Sequence, residues 1–119
     1  METTDLNDWL EKLKDSEKLI IVEGFRDRNA LAKLGIDKVR IFVLNMPIFA
    51  LTELVASRTK KVIILTDLDA AGKKLYSKLK HDFTANGIEV DNYFREFLFK
   101  KTKLTHIEGI DTYFEHHAD

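Results

Sequence analysis

The stretch VIILTDLDAAGKKL, residues 62–75, decides how the rest of the chain is read. Val62, Ile63, Ile64 and Leu65 form a continuous apolar run, the signature of a strand buried on both faces. Two carboxylates, Asp67 and Asp69, follow at once, and Ala70-Ala71-Gly72 then opens a helical pattern. Carboxylates repel one another and resist burial. A pair set at the mouth of a buried strand implies something that neutralises it.

Outward from this stretch, the same strand-then-helix pattern recurs. KLIIVEG is an apolar strand that stops at Glu23-Gly24, and FRDRNALAKLGI reads as a helix ending at Gly35, a usual residue just past a C-cap. VRIFVLN is a second buried strand, followed by a helix from about Pro47 through Ser57. Proline suits a first helical turn, where its missing N–H is not needed. KVIILTD is the third strand. Leu75, Leu79 and Phe83 mark the buried face of a helix ending near Asn86-Gly87. IEVDNYF is expected as a fourth, weaker strand whose alternation suits a sheet edge.

Two segments flank this core. Leu6, Trp9, Leu10 and Leu13 take the spacing of one helix face, so a packing helix is expected over about residues 4–14. Lys100, Lys101 and Lys103 open a basic segment. Thr105 and Glu108 then have capping-box spacing for a final helix carrying Ile107, Ile110, Tyr113 and Phe114, together covering about 100–117.

Alternation of strand and helix from Lys18 to Phe94 predicts an α/β fold, about four parallel strands flanked by helices, with the N- and C-terminal helices added. The 119 residues suit one domain, and a single proline and five glycines leave no linker-like stretch. In a 2-1-3-4 strand order the order reverses between the first and third strands, and ligands bind beyond the carboxyl ends of strands at such a point. Glu23 ends the first strand; Asp67 and Asp69 end the third. Three carboxylates are therefore expected at one crevice mouth, with a divalent cation as the simplest group to hold them there. An all-oxygen donor set suits Mg²⁺ or Mn²⁺ rather than zinc or copper. Gly24 and Gly72 permit the close approach of a phosphate or of backbone. A bound metal would invert the local electrostatics and let the site accept a polyanion.

Composition narrows the alternatives. The absence of cysteine excludes a disulfide framework, thiolate metal sites and cysteine nucleophiles. The acidic, amphipathic start METTDLNDWLEKLKD shows no basic-then-apolar signal pattern, and no apolar run approaches the roughly 18 residues of a membrane helix. A soluble, cytoplasmic protein without membrane contact is the expectation. With a formal net charge of −1, nucleic-acid binding would need local basic patches or bound cations. Arg26, Arg28, Lys73 and Lys74 near the mouth, and Lys100, Lys101 and Lys103 beyond it, are candidate phosphate contacts, although solvated surface would also explain them. Asp27 either supports Glu23 or orders the start of its helix. His81, His106, His116 and His117 share no metal-ligand spacing with the acids. Trp9, Tyr93, Phe94, Phe97 and Phe99 could stack on bases, but core packing is the simpler reading.

The paired motifs IIVEG and ILTDLDAAG resemble those of the TOPRIM domain, the catalytic module of topoisomerases, bacterial primases and several nucleases. VEGFRDRNAL looks like the primase form, with an aspartate three residues after the glycine. Helix capping could account for any one acid, yet it does not explain both motifs in order on apolar strands. The resemblance implies a compact Rossmann-like fold, Glu23 as general acid/base, and Asp67 and Asp69 as metal ligands, with Glu23 able to share a second metal. Ala71 stands where topoisomerases often carry a third aspartate, and no tyrosine sits in a nucleophile motif, so strand passage is disfavoured. The length is similar to that of small stand-alone TOPRIM proteins akin to maturases of ribosomal RNA. A phosphoacceptor receiver is disfavoured because paired acids on the first strand are missing, and a haloacid-dehalogenase-like phosphatase because its first-strand motif is missing. The expected activity is Mg²⁺-dependent phosphodiester chemistry on nucleic acid, with structured RNA favoured over DNA. The alternatives are an RNA- or ribonucleoprotein-binding module without turnover, or a subunit of a larger processing complex.

Overall fold

The computed structural model describes residues 3–117. Its elements run α1 (Thr3–Ser16), β1 (Leu19–Val22), α2 (Phe25–Lys33), β2 (Ile41–Val43), α3 (Ile48–Ala56), β3 (Lys61–Ile64), α4 (Ala70–Ala85), β4 (Glu89–Asp91), α5 (Tyr93–Lys101) and α6 (Ile110–His117). Short 3-10 turns, Lys38–Arg40 and Ile107–Gly109, precede β2 and α6.

The four strands form one parallel sheet in the order β2-β1-β3-β4, so the order reverses between β1 and β3 as expected. Ile20 pairs with Ile41 on one side and Ile63 on the other, and Leu65 N–H extends the ladder to Ile21 O at 2.8 Å.

Strand alternation divides the core into two layers. Ile20, Val22, Ile63 and Leu65 face one side, where Trp9, Leu31, Phe94, Leu98, Ile110 and Phe114 cover them. Ile21, Val62 and Ile64 face the other, under Leu51, Val55, Leu79 and Phe83. Both faces of β1 and β3 are thus buried, which is why their sequences read as unbroken apolar runs. Gly35 and Gly87 sit at φ 100° and 78° just past α2 and α4, the left-handed positions that end a helix at low cost.

The chain after Asp91 departs from expectation. Tyr93 and Phe94 open helix α5 instead of continuing a strand. Asp91 Oδ1 accepts from the Tyr93 N–H at 3.1 Å, turning the chain, while its Oδ2 meets Lys18 Nζ at 2.7 Å. Phe94 and Leu98, four residues apart, then enter the core on one helix face. Trp9 fixes them there: its Nε1–H donates to Phe94 O at 3.0 Å, and its ring meets Phe94 edge-on. Lys100 and Lys101 therefore occupy the last turn of α5, where cations complement the helix dipole.

Candidate metal centre

The loops after β1 and β3 end side by side at the carboxyl edge of the sheet. Glu23 leaves β1 directly, and its Oε2 accepts from the Asp67 N–H at 2.8 Å. Gly24 caps α2, with Asp27 reaching back to the Gly24 N–H at 2.9 Å. Asp69 caps α4 by accepting from the Gly72 N–H at 2.8 Å. The buried Thr66 hydroxyl donates to Gly72 O at 2.8 Å, so the loop folds tightly upon itself. A Cβ on Gly72 would lie 2.0 Å from the Asp67 carbonyl oxygen. The close approach that Gly72 permits is thus by backbone, and Gly72 itself is buried. Gly24 meets nothing nearer than Asp27 Oδ2, 3.9 Å from where its Cβ would stand, so the space in front of it is open.

A strap from the far end of the chain closes this loop. Leu68 N–H donates to Thr105 O at 2.8 Å, and Ile107 N–H donates to Asp67 Oδ1 at 2.9 Å. Asp67 thereby caps the 3-10 turn that leads into α6. The expected capping box does not form: the Thr105 hydroxyl lies 2.9 Å from His106 Nδ1, and Glu108 lies 4.0 Å from Arg26. His106 Nε2 stands 3.4 Å from Asp69 Oδ2. One ligand atom each from Asp67, Asp69 and His106 falls within 4.8 Å of the others. Sequence spacing gives no sign of His106 here; the fold alone brings it to the acids. Glu23 stands outside that close group and joins it through the Asp67 amide.

Each acid is held by one oxygen and presents the other. Among the described residues, no side-chain cation lies within 4.0 Å of Glu23 or Asp67. Arg95 comes close, yet it donates to the carbonyls of Thr66 and Asp67, at 3.3 and 2.7 Å, rather than to a carboxylate. Asp27 registers the resulting field. Burial, opposed by its bond from Gly24 and reinforced by Asp67, Glu23 and Glu108, pushes its carboxyl up to about 6. Oriented carboxylates, two of them without a side-chain cation among the described residues, fit a hard divalent ion, and His106 adds one imidazole to the donor set.

The basic candidates scatter. Lys73 and Lys100 line a groove between α4 and α5 that opens at Asp69. Lys74 and Lys101 are exposed on the same two helices. Lys103 borders a separate cleft between the strap and α6. Arg26 is exposed beside Glu108, whereas Arg28 stacks over Phe25 at 5.0 Å and lines a cleft beside β2, away from the acids.

A parallel α/β sheet with acids at its switch point defines a class, and comparison with known proteins supplies the family. The Toprim domain model matches residues 18–100. A UPF0292 protein from Methanocaldococcus jannaschii is 37% identical over 105 residues, spanning 86% of this chain and 82% of its own length. Another from Pyrococcus abyssi is 39% identical over 102 residues, spanning 86% of this chain and 76% of its own. The solved structure of a protein from Aquifex aeolicus matches with a TM-score of 0.80 at 34% identity, covering 87% of this chain and 95% of that one. The chain belongs to the Toprim domain family, and within it to the UPF0292 proteins. Divalent-metal binding and interaction with nucleic acid are general properties of that domain. No helix among the described residues is long and apolar enough to cross a membrane.

Proposed function

We propose that this protein is a Mg²⁺- or Mn²⁺-dependent phosphodiesterase acting on nucleic acid, with structured RNA preferred to DNA. One observation carries the reading: Glu23, Asp67 and Asp69 meet at the switch point, each oriented by a backbone N–H, and Glu23 and Asp67 have no cation partner among the described residues. Asp67 and Asp69 would hold the ion, with His106 Nε2 as a further donor beside Asp69. When bound, such an ion polarises a phosphate oxygen and acidifies water. Glu23, held through its Oε2, keeps Oε1 for proton transfer: it takes the proton that water sheds as its oxygen joins phosphorus. The ester P–O bond breaks as the new one forms, and the leaving oxygen takes a proton from solvent while Glu23 later releases its own to solvent, which balances the hydrolysis. The preference for RNA rests on the resemblance to small stand-alone TOPRIM proteins.

The test incubates the protein with Mg²⁺ or Mn²⁺ and with structured RNA, single-stranded RNA or duplex DNA, beside a Glu23→Gln variant. Discrete products that the variant does not give are expected on denaturing gels. Equal cleavage by the variant would remove Glu23 from the reaction. A second reading, binding without turnover, is favoured by the strap, whose Ile107 N–H and His106 already occupy part of the mouth. Metal-dependent RNA binding with no product in either metal would select it.

A further inference from the structure

We infer that the groove between α4 and α5 binds a single-stranded stretch of nucleic acid flanking the phosphate held at the acids. This rests on the reading of the acid cluster as a nucleic-acid site and adds the path of the strand beside it.

The groove encloses about 440 Å³ and begins at Leu68, Asp69 and Ala70, so it is continuous with the acid mouth. Lys73, Lys80, Arg95 and Lys100 line it, against only two carboxylates, Asp69 and Glu96. Among the described residues, none of these four cations lies within 4.0 Å of a carboxylate; cations elsewhere, such as Lys38, Arg58 and Lys78, are unpaired too, but here four converge on one groove. In a chain with slightly more acids than bases, four cations gathered along one groove give it the local positive field that a polyanion needs.

Two aromatic rings share the groove. Phe99 is 63% exposed although it lies on α5 between the core residues Phe94 and Leu98 and the helix end. Tyr76 has Arg95 over its ring at 4.9 Å and Lys80 at 6.0 Å. Arg95 is fixed by its bonds to the Thr66 and Asp67 carbonyls, so its guanidinium is oriented before any ligand arrives. A large exposed ring among cations does nothing for the core, but it is what an unstacked base requires. Duplex bases are already stacked on one another and could use only the cations. The combination therefore selects single strands, with phosphates on the lysines and bases against Phe99.

The probe is a short fluorescein-labelled oligouridylate followed by anisotropy, beside an RNA hairpin, each with EDTA and with Mg²⁺. The protein is compared with Phe99→Ala, Lys80→Ala/Lys100→Ala and Glu23→Gln, with circular dichroism confirming that each folds. Binding of the oligouridylate should persist in EDTA, because the groove needs no metal. The double lysine variant should lose about tenfold in affinity at low salt and flatten the salt dependence. Phe99→Ala should lose about five- to tenfold on the single strand and little on the hairpin. Oligouridylate binding unchanged in both groove variants would overturn the groove, even where Glu23→Gln still abolishes cleavage and so upholds the acid site. No binding of either RNA by the unaltered protein would overturn the inference as well. Loss in the groove variants without cleavage in any metal would uphold the groove and remove the phosphodiesterase reading.

Discussion

Two patches meet at Asp69 and are built in opposite ways. On one side, Glu23 and Asp67 have no side-chain cation within 4.0 Å among the described residues and are held by backbone N–H groups. On the other, Lys73, Lys80, Arg95 and Lys100 have no carboxylate within 4.0 Å among the described residues. Arg95 is the clearest case, since it lies beside Asp67 and bonds its carbonyl while leaving its carboxylate untouched. Neighbouring charges of opposite sign would ordinarily pair, and the fold keeps them apart with backbone. Internal pairing would gain little at the surface, where an exposed ion pair contributes roughly 0–1 kcal/mol. Separation instead leaves each patch available to an outside partner of the opposite charge: a cation for the acids, a phosphate chain for the groove.

The largest effect should come from the acid side alone. Asp67→Asn and Glu23→Gln should abolish metal-dependent cleavage on gels. Calorimetry of Asp67→Asn should show Mn²⁺ binding weakened by at least the roughly 10–100-fold that loss of an outer-shell partner costs. Oligouridylate affinity in EDTA should hold or rise in the same variants, because repulsion has been removed; a parallel fall would merge the two patches into one. Gly72→Ala should come next, since its Cβ would strike the Asp67 carbonyl. Urea unfolding should show a loss of roughly 1–3 kcal/mol, and an unchanged midpoint would mean that the loop gives way freely. His106→Ala should weaken Mn²⁺ several-fold and Mg²⁺ less, because an imidazole contributes more to the softer ion. Equal losses for both metals would make His106 a counter-charge to Asp69 rather than a ligand.

The smallest effect concerns Asp27 and pH. Its carboxyl titrates near 6 in the folded chain against an ordinary 3.8, so between those values the folded state keeps a proton that the unfolded state has lost. Its contribution to stability is fully present below about 3.8 and is lost as pH rises through about 6. Asp27→Asn keeps an acceptor for the Gly24 N–H and should flatten that part of the pH–stability curve. A curve of unchanged slope in urea titrations would place the dependence elsewhere.

The sheet and the acids were legible because they rest on local rules. β1 and β3 are buried on both faces and read as apolar runs, and Gly35 and Gly87 mark helix ends by their left-handed backbone. Strand order then placed Glu23 beside Asp67 and Asp69. What stayed hidden depends on distant contacts. The stretch IEVDNYF carries residues that favour strands, and the helix that begins within it depends on core packing of Phe94 and Leu98 and on the bond from Trp9, 85 positions away. Arg95 follows that segment directly, on the helix that the strand reading does not anticipate. His106 reaches Asp69 from 37 positions away, and no local spacing announces it. The spacing of Thr105 and Glu108 suggested a local cap, but the cap comes from Asp67, 40 positions from Ile107. Arg28 illustrates the opposite failure: proximity in sequence to Glu23 did not bring it to the acids, because its face of α2 turns toward β2.

The strap has a consequence for the order in which the protein is made. Synthesis proceeds from the N-terminus, and domains begin to fold as the chain emerges. Once β4 has emerged, all four strands and all three acids exist, and the sheet can form. The N–H that orients Asp67 belongs to Ile107, and the imidazole beside Asp69 belongs to His106. Both are translated after α5 and reach the mouth only when the following turn docks against α2. A nascent chain can therefore hold Glu23 and Asp69 through the β3–α4 loop before it can orient the Asp67 side chain. The complete cluster of acids and imidazole is among the last features to appear, once residues 105–107 have left the ribosome.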